Sequence, residues 1–256
     1  MIRERFATSA DVDLDINCAA GSVTIERSED ANVVEIEIDS KHEDGWSVVQ
    51  SGCVIEVRYT KSGWGRGGNA RIRVAAPTGS NAKIDAASAD LALRGGAGRA
   101  DLKTASGDVR IDRAVWLSVK TASGDVTIGE VADDMTISTA SGDVAVASVL
   151  GDVVVTTASG DARIGRASGR ARLSTVSGNV TVDRYEGPSF TASAVSGDIT
   201  LGVPSGRTVE FDAKTLSGRV EYPEPRSASS EPAATPVWVS ITAKSVSGDI
   251  RLRRAD

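Results

Sequence analysis

The chain has 256 residues, of which 40% are hydrophobic, 25% are charged and only 4% are aromatic. Its net charge of -6 argues against a broad nucleic-acid-binding face, because phosphate contacts need clustered Lys and Arg. No apolar run approaches the roughly 20 residues of a membrane span, and the opening residues lack the apolar stretch of a secretion signal. We therefore expect a cytoplasmic protein with no nucleic-acid partner and no direct membrane insertion, built on a thin core of Val, Ile, Ala and Leu.

Residues 1–80 are predicted to form a less regular N-terminal cap. Alternating apolar residues mark three strands there, namely Val34/Ile36/Ile38, Ile55/Val57/Tyr59 and Ile72/Val74. A glycine-rich run at 63–68 follows the second of them and contains Trp64 and Arg66. Because a stack of repeats must hide its open end, Trp64 is predicted to be either a plug over that end or an exposed anchor for a partner.

Few residues of this chain suggest catalysis or metal binding. His42, the single histidine, lies in a polar turn and is expected to be solvated. Cys18 and Cys53 form no metal or disulfide framework by themselves, and we expect two reduced, partly buried residues, with a Cys18–Cys53 disulfide as the alternative. Since neither a nucleophile elbow nor a phosphate loop occurs, no catalytic, cofactor-binding or metal-binding residue is predicted.

A repeat built on Ser-Gly-Asp dominates residues 81–222, with central spacings of 17, 18, 18 and 18 residues. Each copy precedes an alternating apolar pair such as Val109/Ile111, and weaker half-copies such as 150–153 lie between copies. This period of two indicates strands, and no helical period is sustained. We predict an all-β fold, a parallel β-solenoid (a two-sheet roll with about 18 residues per coil). A meander of hairpins is the alternative. The copies begin at Ser106, Ser123, Ser141, Ser159, Ser177, Ser196, Ser217 and Ser247.

The two corners of the predicted coil differ in length. Across each Ser-Gly-Asp corner the step between inward residues is always seven, as from Val155 to Ala162. Across the opposite corner it grows from six, between Ile111 and Leu117, to 19, between Tyr222 and Ile241. One edge should therefore be rigid and the other variable, and binding residues concentrate on loops that tolerate insertions.

Repeated polar residues at the corners have structural explanations. The aspartates are predicted to stack in a column and to close their turns by accepting backbone N–H groups. Calcium binding is the alternative, although the known calcium-binding nonapeptides carry more glycine than this repeat. Inward threonines should satisfy buried backbone near the corner, and Cys18 takes the same place in its own corner. The aspartates are Asp108, Asp125, Asp143 and Asp161, and the threonines are Thr104, Thr121, Thr139, Thr157 and Thr175.

The C-terminal part contains the largest insertion, a Pro/Ser-rich loop at 223–236. Such a segment cannot continue a β-ladder, and it is predicted to be either a plain surface loop or a docking loop for a partner. It ends beside Trp238, which opens the final coil and tail at 237–256. Trp116 lies in the shortest variable corner.

The Thr-Ala-Ser-Gly-Asp-Val-x-Ile run at 104–111, 121–128 and 139–146 resembles the bacterial β-strand-repeat family labelled "putative adhesin", or toastrack domain. The opening Asn-Cys-Ala-Ala-Gly-Ser-Val-Thr-Ile at 17–25 is similar to that family's N-terminal element. The resemblance covers nearly the whole chain. It implies a non-catalytic β-solenoid domain of unknown function and offers no catalytic residues to transfer.

We therefore predict one solenoid domain over residues 1–256 that acts as a non-enzymatic interaction scaffold. It would bind protein partners through its variable edge, with Trp64, Arg66, Trp116 and Trp238 as the contact residues. Self-association is a further option. The alternatives are a cell-surface adhesin and a glycan-binding or glycan-acting β-helix protein, the last with Asp133, Asp134 and Asp152 as its acidic cluster.

Overall fold

The computed structural model describes residues 1–8, 12–60, 69–223 and 238–255. These residues form 22 strands and one short 3-10 turn, Glu43–Gly45, so the predicted all-β class is confirmed. The chain divides into two compact units, Met1–Ala132 and Asp133–Asp256. Across the described ranges, no helix has the length and apolar character needed to cross a membrane.

The first unit is built from parallel coils whose longest strands run through a corner without a break. Strand β2 pairs with β7 in one parallel register from Asp13↔Asn81 to Ile25↔Leu93, and β7, β8, β9 and β10 continue the parallel pairing. The strands of this unit are β1 (Ile2–Ala7), β2 (Asp13–Arg27), β3 (Val33–Ser40), β4 (Trp46–Ser51), β5 (Val54–Tyr59), β6 (Asn69–Ala76), β7 (Asn81–Leu93), β8 (Ala97–Ser106), β9 (Val109–Ser123) and β10 (Val126–Val131).

Antiparallel strands extend the N-terminal side of this unit. The outer side of β2 pairs in parallel with β5 near its start and with β6 near its end. Beyond them the direction reverses, because β4 runs antiparallel to β5, β3 to β6, and β1 to β3. Trp46 of β4 is buried and meets Tyr59 of β5 edge-on, with ring centroids 5.4 Å apart.

The second unit consists of coils, and each coil contributes one strand to each of two parallel ladders. Odd-numbered strands form one ladder and even-numbered strands the other. This parallel pairing replaces the hairpin meander and confirms the solenoid. The strands are β11 (Met135–Ser141), β12 (Val144–Val149), β13 (Val153–Ser159), β14 (Ala162–Ala167), β15 (Ala171–Ser177), β16 (Val180–Tyr185), β17 (Ser189–Ser196), β18 (Ile199–Pro204), β19 (Thr208–Ser217), β20 (Val220–Glu221), β21 (Trp238–Ser247) and β22 (Ile250–Ala255).

The last coil in the sequence is not the last coil in the stack. Strand β21 pairs with β17 on one side and with β19 on the other, and β22 likewise lies between β18 and β20. The chain therefore builds the outermost coil, β19–β20, before it returns and places β21–β22 beneath it. Arg251 holds this arrangement together: its guanidinium contacts Asp198 at 3.0 Å, Asp249 at 2.5 Å and Glu221 at 3.2 Å, one acid from each of three successive coils.

Small β-branched side chains fill the space between the two ladders. Inward residues alternate with exposed ones along each strand, as in β13, where Val153 and Val155 are buried and Val154 is exposed. The largest fully buried side chains of the described residues, Tyr185 and Phe190, meet edge-on with centroids 5.3 Å apart. Because the space between the two ladders is filled by these small side chains, it has room for few aromatic rings, which accounts for the 4% aromatic content.

Candidate functional site

Glycine makes the Ser-Gly-Asp corners rigid. In the second unit these corners, which we call the rigid edge, are 142–143, 160–161, 178–179, 197–198, 248–249 and 218–219. Gly160 has φ +130°, and a Cβ on it would lie 2.3 Å from the carbonyl oxygen of Gly142 in the coil before. Gly178 and Gly197 repeat the arrangement at 2.1 and 2.0 Å. Both the backbone conformation and the close packing of coils therefore require glycine here.

The aspartates of the rigid edge join neighbouring coils. Asp161 Oδ1 accepts the backbone N–H of Asn179 at 2.7 Å, and Asn179 Oδ1 in turn accepts that of Asp198 at 2.9 Å. The side chains do accept backbone N–H groups, but the donor lies in the next coil and not in the same turn as predicted. In the first unit Asp108 accepts from Asp125 in the same way at 3.1 Å.

Arg219 ends this ladder in the second unit. Its N–H donates to Asp249 Oδ1 at 2.9 Å, and this hydrogen bond joins it to the coil beneath. It belongs to the outermost coil, where no described strand stacks above it and no acceptor is needed. The departure from the repeat at this one copy thus marks the end of the stack.

Inward hydroxyl groups satisfy the corner carbonyls at four of the five predicted threonines, whereas Thr175 Oγ1 is buried without a hydrogen-bond partner among the described residues. Thr104, Thr121 and Thr139 donate to the carbonyl oxygen two residues later at 3.0 to 3.1 Å. Cys18 Sγ takes the equivalent position, 3.1 Å from the oxygen of Ala20, and burial raises the pKa of its thiol. Cys53 is exposed and both cysteines are free, so the expectation that Cys53 is partly buried and the alternative of a disulfide are both wrong.

The opposite corners of the second unit form its variable edge, which we define by the described residues 150–152, 168–170, 186–188, 205–207, 222–223 and Trp238. Glu186 organises the middle of this edge. Its carboxylate contacts Arg166 and Arg184 at 2.6 Å each, and these two guanidinium groups, Arg184 first, hold its pKa below the ordinary value. Its carbonyl oxygen accepts a bond from Arg207 Nη1 at 2.5 Å.

An open cleft lies on this edge at the outermost coil. Its volume is about 490 Å³, within the range of about 300–1,000 Å³ usual for ligand pockets. Phe211 and Tyr222 meet edge-on in its wall with centroids 5.2 Å apart. Three arginines also line it, and the described lining contains no acidic residue. The lining consists of Val203, Pro204, Ser205, Gly206, Arg207, Val209, Phe211, Tyr222, Pro223, Leu252, Arg253 and Arg254.

The predicted partner residues differ in their surroundings. Trp238 opens β21 with 64% of its surface exposed, and it pairs in register with Thr208, directly after the cleft residue Arg207. Trp116 is half-buried in β9 of the first unit, where the guanidinium of Arg99 stacks 3.6 Å from the ring centroid. Trp64 and Arg66 lie outside the described residues, as does most of the loop at 223–236.

Two of the acidic residues considered for glycan cleavage, Asp134 and Asp152, join neighbouring coils through hydrogen bonds. Asp134 Oδ1 accepts the N–H of Asp152 at 2.8 Å, and Asp152 Oδ1 accepts that of Arg170 at 2.8 Å. They thus repeat, on the variable edge, the ladder of the rigid edge. Within the described ranges, no group of three His, Cys, Asp or Glu side chains is arranged to hold a metal ion.

The sequence did not lead to the cleft residues themselves. They converge because β20 has only two residues and because β21–β22 lies beneath β19–β20. One signal was present: Pro223 follows Tyr222 directly, four residues after Arg219, and a proline cannot donate a hydrogen bond to a β-ladder.

Comparison with known proteins agrees with this architecture. A solved structure from Bacteroides fragilis, described as a "putative adhesin", aligns over 98% of this chain and 96% of its own with a TM-score of 0.51 at 14% identity. A "putative lipid binding protein" and another "putative adhesin", both from Parabacteroides distasonis, align with TM-scores of 0.40 and 0.36 at 12% and 13% identity. The former covers 98% of this chain and 96% of its own, the latter 96% of each.

The likeness to the Bacteroides fragilis structure shows a shared fold. No curated protein matches the sequence. The family model described as Toastrack DUF4097 matches residues 11–253, nearly the whole chain. The chain therefore belongs to the Toastrack DUF4097 family.

Proposed function

We propose that this protein is a non-enzymatic interaction scaffold that binds a protein partner through the variable edge of its second unit. The observation that carries the proposal is the contrast between the two edges. On the rigid edge, glycine packing and the carboxylate ladder serve to join coils. On the variable edge, an exposed tryptophan lies beside an open cleft that contains aromatic rings and arginines.

These residue types suit protein recognition. Trp, Tyr and Arg are the residues most enriched among those that dominate binding energy at protein interfaces. Trp238 offers a large apolar surface at the start of β21, and Tyr222 is 60% exposed. Neither side chain contributes to the packed core, so both are available without cost to the fold.

The proposal is tested with variants of the full chain and recovery of bound partners. Trp238→Ala and replacement of 224–237 by a Gly/Ser linker of equal length should leave the unfolding midpoint unchanged and reduce partner recovery. An equal length is required because this segment connects the outermost coil back to the coil beneath it. The control is Val195→Ser, which should retain the partner. Val195 is 49% exposed and lies in β17, next to the rigid-edge corner 197–198. Unchanged recovery in the Trp238→Ala variant would refute the proposal.

A further inference from the structure

The cleft exists because one strand is short. In five coils of the second unit the even-numbered strand has six residues, whereas β20 has only Val220 and Glu221. These two pair with Ile250 and Arg251. On one side, residues 252–255 of β22 pair with residues 201–204 of β18. On the other side they face no described strand. About four residues of β22 therefore have an edge that no described strand covers.

The open edge is accompanied by an apolar floor. Leu252 is half-buried, and Val203, which pairs in register with Arg254, is only 5% exposed, so the cleft reaches the core between the ladders. Phe211 and Tyr222 form the wall contributed by the outermost coil. A side chain entering here would meet the surface that an inward residue of a longer β20 would cover.

The charge of the cleft is opposite to that of the protein. Arg207, Arg253 and Arg254 line it in a chain of net charge -6. Glu221, the nearest acid along β20, is already bound by Arg251 at 3.2 Å. Arg253 is exposed and forms no ion pair with any described acid.

We propose that the cleft binds an extended, acidic peptide segment of a partner protein, which adds as a strand beside residues 252–255. This inference rests on the proposed function and names the chemistry of the partner. The peptide backbone would pair with the open edge of β22, one apolar side chain would fill the cleft, and acidic side chains would contact the arginines.

Charge and hydrogen bonding favour this occupant over two others. A second copy of the chain would bring its own arginines to the same edge, and like charges discourage such pairing. A small amphipathic anion such as a fatty acid would satisfy the arginines and the apolar floor but would leave the backbone groups of residues 252–255 without strand partners.

The test uses the full chain and a fluorescent eight-residue peptide of alternating glutamate and valine, with binding followed by fluorescence anisotropy. Arg253→Glu should weaken binding at least about tenfold. Arg172→Glu is the matched control, because Arg172 is an exposed arginine of β15 outside the cleft, and binding should stay within about twofold. Circular dichroism checks that both variants keep the strand content of the parent.

Two further probes separate strand addition from simple charge attraction. The same peptide with every backbone nitrogen methylated keeps its charges but has no N–H group to donate to a ladder on either edge, and it should not bind. Decanoate should not displace the unmodified peptide. The inference is overturned by absent binding, by equal binding of the methylated peptide, by displacement with decanoate, or by equal effects of the two arginine variants. The proposed function fails separately, through unchanged partner recovery in the Trp238 variant.

Discussion

Glycine at the rigid edge satisfies two requirements that a matched pair of substitutions can separate. Gly160→Ala places a Cβ 2.3 Å from a backbone oxygen at φ +130°, whereas Gly206→Ala meets nothing within 4 Å at φ +85°. We expect Gly160→Ala to reduce the free energy of unfolding by at least about 2 kcal/mol, and Gly206→Ala by about 1 kcal/mol. Urea titration measures both values. Equal losses would show that coil contact is not what requires glycine.

The carboxylate ladder depends on the oxygen atom and not on its charge. Asp161→Asn keeps the acceptor for the N–H of Asn179, and the chain itself uses Asn179 in the next position of the ladder. Asp161→Ala removes the acceptor. The alanine variant should lose about 1 kcal/mol and the asparagine variant much less. A larger loss for asparagine than for alanine in thermal or urea unfolding would contradict this role.

Asp108 adds a dependence of stability on pH. The backbone N–H of Asp125, and then the guanidinium of Arg110, lower its pKa in the folded protein. A carboxylate whose folded pKa is depressed stabilises the fold above its unfolded pKa of about 3.9, and this contribution disappears as the pH falls through the folded value. The difference in melting temperature between the parent and Asp108→Asn should therefore shrink as the pH falls from 6 to 3. A constant difference would exclude this linkage.

At the scale of elements, the outermost strand β19 differs from the strands within the stack. Its inward residues Val209, Phe211 and Ala213 are only half-buried, and it has a described strand partner on one side alone. Strands such as β13 and β15 have partners on both sides. Amide hydrogen exchange should be fastest in β19 and slowest in β13 and β15. Uniform protection across these strands would contradict the order of coils described above.

The order of the coils also shows what the sequence could and could not supply. The step of seven at each Ser-Gly-Asp corner correctly placed the inward residues, because a corner of constant length leaves the alternation of side chains in phase. Because the same period occurs in every coil, it does not indicate the order in which the coils stack. Two features of the sequence distinguish the outermost coil: Arg219, whose N–H bonds to Asp249 and which replaces the acceptor at the end of the ladder, and Pro223, which follows the short strand β20.

At the scale of the whole molecule, the candidate site was predictable in part. Insertions at one corner directed attention to the variable edge and to Trp238, whose side chain is exposed, while its role in binding a partner stays a prediction. The cleft was not predictable, because it results from the length of β20 and from the return of the chain beneath β19. Trp116 was singled out by its corner position, yet the sequence does not reveal that Arg99 covers its ring.

The central claim is that the two edges divide structural and binding tasks, and site-specific photo-cross-linking tests it most directly. A photoreactive residue is placed either at position 238 on the variable edge or at position 195 beside the rigid edge, where the native side chains are 64% and 49% exposed. We expect a discrete cross-linked protein from position 238 and none from position 195. Equal cross-linking from both positions, or cross-linking from position 195 alone, would show that the two edges do not divide these tasks.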